Sequence, residues 1–446
     1  MAAAASDKVR FFMEQSVPEL QEYSRKGIFT SAEITAIAQK RSEFEHIINM
    51  PGRATPTDFA RYVTYEMNLD TLRKKRSRRL GVKSTTYTGQ KKIFFVLERG
   101  VRKFQGDMGL WMQYLEYCQQ EEASKKLAKG LTQCLRLHPL RWELWVWAAR
   151  HYVEQQADMT TGRSYMQRGL RFCKNERNLW LQYAKLEMIY VAKIATRRKI
   201  LGLDRTRTTR SVESSNDPNA DMIALPDITA EDINPELKKD TDTVDDAALQ
   251  KLSTSPALSG AIPLTIMNTA FTNFNMDPIV AESFFELFVD FANIPCTGIL
   301  LDRAESLLQS VSEKPRAQAS LAYCEARRLL LNVEPLTPAF PSALGVALQR
   351  LKGANTASMS DEVHLASRAV LLLLPYVEHR AHFDEGVLKV LEASVKRNVK
   401  MLTSCKSGGG YRGPDPVLEL TKRLQRERKV DQRLLRLYGL ATQGDG

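Results

Sequence analysis

Cysteine is scarce and scattered. The six thiols, Cys118, Cys134, Cys173, Cys296, Cys324 and Cys405, form no C-x-x-C pair, which excludes a zinc knuckle or disulfide framework and predicts plain buried thiols. No apolar run approaches the roughly 18 residues of a membrane span. Histidine is equally rare, with six in the chain, and the one close pair is His379-x-x-His382. Without a third ligand nearby, the pair reads as surface or capping residues, and no metal site is expected. No G-x-x-x-x-G-K-[ST] loop cradles a nucleotide and no G-x-S-x-G elbow presents a serine. The chain is therefore expected to bind no cofactor or small-molecule substrate and to catalyse nothing. Met1 to Asp7 is alanine-rich without the basic flank and apolar core of a signal peptide, so a soluble, intracellular protein is expected.

What is present points to helices. The chain has 446 residues, 43% of them hydrophobic, which suffices for several cores or for one solenoid that grows without a single centre. Lys and Arg outnumber Asp and Glu by 64 to 52, a net charge of +12, and the pI is near 9.3. Such a balance suits a polyanionic partner and says nothing of fold.

The strongest signal is a threefold repeat: Trp111-x-x-Tyr114-x-x-Tyr117, Trp145-x-x-Ala148-x-x-His151 and Trp180-x-x-Tyr183-x-x-Leu186-Glu187. The tryptophans stand 34 and 35 residues apart, the period of helix-pair solenoids. Spacing of i, i+3 and i+6 or i+7 puts each set on one stripe of a helix, so the rings read as core and not as base-stacking platforms. Between them lie second helices with Glu98-Arg99-Gly100-Val101 and Gln167-Arg168-Gly169-Leu170. A glycine within a helix costs about 1 kcal/mol relative to alanine, so Gly100 and Gly169 imply a close helix crossing. Arg99 and Arg168 are expected to pair with carboxylates of the Glu187 type on neighbouring helices.

In chain order, residues 1–56 predict a helical hairpin and residues 57–203 a repeat solenoid, with Phe59-x-x-Tyr62-x-x-Tyr65 as its first copy. Phe59 lies 52 residues before Trp111, and the surplus is assigned to an exposed loop at 73–89. It carries Arg73, Lys74, Lys75, Arg76, Arg78 and Arg79, which read first as a solvated face, and next as a nuclear import signal or a phosphate clamp. Residues 204–261 read as an acidic flexible linker. Residues 262–405 predict degenerate helical repeats, including Phe285-x-x-Phe288-x-x-Phe291 and a later Tyr323 with Ala326. Residues 406–446 predict a Gly-rich break at Gly408 to Gly410 and a basic amphipathic helix from Asp415 to Leu440, best suited to capping the solenoid.

The W-x-x-Y-x-x-L-E helix followed by an E-R-G-V or R-G-L helix resembles the half-a-tetratricopeptide repeat of RNA-processing complexes, with Trp180, Tyr183 and Glu187 its best match. Val17-Pro18-Glu19-Leu20, Gly27-Ile28-Phe29, Glu33-Ile34 and Lys40-Arg41-Ser42-Glu43-Phe44-Glu45 resemble the opening of the family of the sixth U-three small nucleolar RNA-associated protein. That resemblance runs to about Leu201. It implies an all-α, nucleolar, non-catalytic scaffold of the small-subunit processome, held in a stable complex with WD-repeat propeller proteins. Contact with pre-ribosomal RNA or small nucleolar RNA would be direct or through those partners, and Val17, Pro18, Leu20, Phe29 and Ile34 become candidate partner-binding residues. The repeat alone leaves open an RNA-binding factor of mRNA 3′-end processing or splicing.

Overall fold

A computed structural model describes residues 2–50, 52–82, 88–200, 256–331, 333–335, 337–354, 358–378, 383–407 and 416–427. Among them every regular element is helical, and helices pack mainly on sequence neighbours as antiparallel hairpins. The fold is all-α, of the helix-pair solenoid kind. The chain divides into two compact units, residues 1–148 and 149–446.

The first unit opens with three helices where the sequence predicts a hairpin: α1 (Ala2–Glu14), α2 (Val17–Arg25) and α3 (Ser31–Asn49). Both α1 and α2 pack on α3. Thr30 and Glu33 form a reciprocal capping box that starts α3. Next come α4 (Pro56–Arg79), α5 (Thr88–Lys103), α6 (Met108–Gln120) and α7 (Ser124–Leu137). Asp58 caps α4 by accepting from the Thr55 backbone N–H and hydroxyl, and Asp107 caps α6 by accepting from the Leu110 N–H at 2.8 Å.

Three buried tryptophans tie the connections to the helices that follow. Trp111 Nε1 donates to the Gln105 carbonyl at 2.9 Å, Trp145 Nε1 to Pro139 at 2.9 Å and Trp180 Nε1 to Lys174 at 3.0 Å. Each bond reaches back six residues, so the indole both fills the core and satisfies a loop carbonyl that the helix ladder cannot. Glycines admit other core rings. A Cβ on Gly100 would meet the Phe59 ring at 3.0 Å, and one on Gly130 would meet Tyr114 at 2.5 Å. Gly169 is buried as expected, and in the same helix a Cβ on Gly162 would meet Val153 at 2.5 Å.

The expected loop at 73–79 is helix instead. Periodicity carries α4 on to Arg79, because Arg73 and Ser77 continue its buried stripe from Phe59, Tyr62, Val63, Glu66 and Asp70. Arginine holds a good helix propensity, and a cation in the last turn offsets the macrodipole, so a basic run is no helix breaker.

In the second unit, α8 (Trp142–Gln155, of which residues 149–155 lie here), α9 (Met159–Phe172) and α10 (Arg177–Ile200) are followed, after residues 201–255, by a short 3-10 turn at Pro256–Ser259 and α11 (Ala261–Asn273). Helix α10 packs on both the turn and α11. Asn273 at the end of α11 donates to the Lys174 carbonyl at 3.0 Å, and Arg177 at the start of α10 pairs with Asp277. The stretch 201–255 therefore falls between the two helices of one hairpin. The remaining hairpins are α12 (Pro278–Val289) with α13 (Thr297–Ser310), α14 (Pro315–Leu331) with α15 (Phe340–Gly353), and α16 (Met359–Glu378) with α17 (Glu385–Ser407). Helix α18 (Pro416–Glu427) packs on α16 and α17, burying Leu420 and Leu424. His379, His382, Gly408 to Gly410, Asp415, most of the 204–261 segment and the end of the basic helix lie outside the described residues.

Candidate functional site

Two surfaces of the first unit gather charge, and a third cluster uses charge only for structure. The structural cluster lies at the N-terminal helices. Arg41 is fully buried and bridges Glu66 at 2.7 Å and Glu19 at 3.3 Å. Burial disfavours its charge, but the carboxylates of Glu66 and Glu19 outweigh this and hold it protonated beyond its ordinary range. Glu45, also fully buried, accepts from Arg99 at 3.0 Å, and the Arg99 guanidinium lies 4.1 Å from the Phe12 ring centroid. These bonds tie α3 to α2, α4 and α5 by groups that are buried or, for Arg99, largely so.

The candidate partner-binding residues split. Leu20 and Phe29 are buried in a cluster with Tyr23, Ile28 and Ile37, and Ile34 packs against it, whereas Val17 and Pro18 face solvent. The basic run splits as well. Arg73 is buried against Asp70 at 2.7 Å, Lys74 reaches Asp70 at 2.9 Å, and Arg76 grips Glu33 with two bonds of 2.8 Å. The hydrogen bond from Arg76 holds Glu33 down to about 2. Lys75, Arg78 and Arg79 alone remain exposed.

A groove of about 540 Å³ runs between α5, α6 and α7. Its floor is Trp111, Tyr114 and Gly130, all buried. Its walls carry Arg102 from α5 and Lys126, Lys129 and Arg136 from α7, with Glu98 the acidic lining residue. Glu98 lies 3.1 Å from Lys126 and 3.9 Å from Arg102, which leaves the groove electropositive. Sequence reasoning passed over this set because it looked for unbroken charge runs; Lys126, Lys129, Gln133 and Arg136 stand at i, i+3, i+7 and i+10, a helical-face spacing that marks one stripe. Gly130 was missed for want of an adjacent Arg-Gly pair.

The repeat's conserved-looking acid is also structural. Glu187 is buried on α10 and accepts two bonds from Arg163, at 2.7 and 2.8 Å. Arg163 thus takes the role that the sequence assigned to Arg168, which is exposed on the outer face of α9. Ala148 and Tyr183 are buried as core. The five described cysteines are buried, and burial pushes Cys118 up to about 11 and Cys134 up to about 12, far from a reactive thiolate.

Hairpins with indole-anchored connections, one of them bordering a cationic groove, define an all-α helical-repeat protein. The family of U3 small nucleolar RNA-associated protein 6 matches residues 13–95, the stretch that holds Arg41, Glu45, Glu66 and Arg73. The protein of that name from Schizosaccharomyces pombe is 34% identical over 237 residues, 51% of this chain and 48% of its own length. The Homo sapiens homolog is 30% identical over 188 residues, 41% of this chain and 31% of its own, and that of Dictyostelium discoideum is 24% identical over 188 residues. The N-terminal stretch of the chain is thus similar to the U3 small nucleolar RNA-associated protein 6 family. The matched region spans half or less of these relatives' length.

Proposed function

We propose that the chain is a non-catalytic scaffold subunit of a nucleolar pre-ribosomal particle that serves processing of the small-subunit ribosomal RNA precursor. The match of residues 13–95 to a U3 small nucleolar RNA-associated family carries the reading. The helix-pair architecture supports it, since stacked hairpins offer extended surfaces to hold partner segments. In the resemblance described above those partners are WD-repeat propeller proteins. The exposed Lys75, Arg78 and Arg79 remain candidates for RNA phosphate contact or nuclear import, and the exposed Val17 and Pro18 for protein contact.

Affinity purification of the tagged endogenous protein, with and without nuclease, followed by mass spectrometry and RNA sequencing, tests the reading. Propeller proteins retained after nuclease, and pre-ribosomal RNA with U3 recovered without it, are the expected result. Recovery of cleavage-and-polyadenylation or spliceosomal proteins in their place would overturn it.

A further inference from the structure

We propose that the groove between α5, α6 and α7 is a track for the phosphodiester backbone of single-stranded RNA, gripped by Arg102, Lys126, Lys129 and Arg136. This rests on the reading of the chain as part of an RNA-containing particle and names the surface that touches the RNA. The three α7 cations lie along one helical face, and ten residues of helix span about 15 Å. Arg102 faces them from α5 across the groove. Charge of one sign along a channel of that length suits a linear polyanion.

Folding has left half of these cations unpaired. Glu98 is shared between Lys126 and Arg102, and Lys129 and Arg136 have no carboxylate partner among the described residues. By contrast, Arg41, Arg73 and Arg99 are each neutralised within the same unit. The aromatic floor is closed to bases: Trp111 is 1% exposed and Tyr114 6%, and the Trp111 N–H is already given to Gln105. No ring face is free to stack, so the groove grips backbone and is blind to sequence. An acidic protein segment fits less well. Protein partners are held by buried apolar anchors, and along this groove Val101 is buried and Leu137 is the exposed apolar residue. A phosphodiester chain asks only for cations and for amide donors such as Gln105 and Gln133.

The test uses the full chain and an end-labelled oligouridine, with fluorescence anisotropy read at increasing potassium chloride. Three to four phosphate contacts predict a log–log salt slope of about −2 to −3 for a single strand. The double variant Lys129→Gln with Arg136→Gln, both residues exposed, should melt as the wild type does, bind roughly tenfold or more weakly near 0.1 M salt, and flatten the slope by roughly 1.4. The variant Lys75→Gln with Arg78→Gln and Arg79→Gln is the comparator. Unchanged binding in the groove variant, with or without loss in the comparator, overturns the proposal. So does displacement of the oligouridine by polyglutamate at equal charge, which would make the groove an acceptor of acidic protein. Failure of the wild-type chain to bind oligouridine also overturns it, while recovery of the particle from cells separately decides the scaffold reading.

Discussion

The carbonyl of Gln105 receives the indole N–H of Trp111 at 2.9 Å and lies 2.9 Å from His138 Nε2. A carbonyl only accepts, so the histidine donates through Nε2. His138 follows the second helix of the next hairpin, and Asn273 bonds the Lys174 carbonyl of Trp180 from the same relative position. One loop carbonyl is thus held by both helices of the hairpin that follows it. Truncating a buried tryptophan to alanine costs about 3 to 5 kcal/mol. Trp180→Phe keeps most of the ring, and the Lys174 carbonyl keeps Asn273, so about 1 kcal/mol is expected for the lost bond. Denaturant melts of the two variants check the difference; equal losses would mean that the indole bond, and not the ring volume, holds the loop.

Arg73 and Arg76 should behave unlike their exposed neighbours. Removing Arg73 strands Asp70, although Lys74 still reaches it, so Arg73→Gln should cost about 3 kcal/mol. Arg76, whose pairing with Glu33 is open to solvent, should contribute far less than Arg73. Neutralising Lys75, Arg78 and Arg79 should leave the melting temperature unchanged.

Arg41 is the costliest single cation in the N-terminal helices. Arg41→Met leaves Glu19 and Glu66 facing each other in the interior, with an expected loss of about 3 to 5 kcal/mol. Arg41→Lys should restore little, because a point charge cannot reproduce the paired geometry toward Glu66. Chemical denaturation of both variants, with exchange of the α3 and α4 amides, provides the measurement.

Glu282 sets the acid limit of the second unit. Burial alone would raise its carboxyl. The hydrogen bond from His364, the charge of Arg368 and the Ser320 hydroxyl, at 2.8, 2.5 and 2.6 Å, bring it to about 2. A carboxyl depressed in the folded state contributes stability that is complete above its unfolded value and lost as pH falls toward the folded one. That stability should therefore fade between about pH 4.5 and about pH 2. Urea melts across this range should lose a step in Glu282→Gln, a variant already weakened at neutral pH because Arg368 loses its buried partner.

Glu122 and Ala157 occupy the left-handed region at φ 53° and 54°, in the turns after α6 and α8. A side chain there costs roughly 1 to 2 kcal/mol, so Ala157→Gly should stabilise by about 0.5 to 1 kcal/mol after the entropy glycine adds to the unfolded chain. A lower melting temperature would contradict this.

Helix pairing was legible in the sequence because the tryptophan period and the i, i+3 stripes are local patterns that burial enforces. The basic run at 73–79 was misread because charge was taken for exposure, whereas Asp70 sits three residues before Arg73 and Glu33, on the preceding helix, pairs with Arg76 across 43 residues of sequence. Partners of the second kind leave no trace in spacing. Arg163 escaped notice for the same reason, since Glu187 lies 24 residues away. The groove cations were visible as a face of α7, but only the packing of α5 across from them made a channel.

The placement of residues 201–255 inside the α10–α11 hairpin has a consequence for how the second unit can be assembled. A chain divided within that stretch yields one fragment ending in a first helix without its mate, and another beginning with a mate without its first helix. Each would lose the helix that packs against it, since α10 and α11 pack on each other. Two such halves, co-expressed, should complement each other in a concentration-dependent way, like the subunits of a heterodimer.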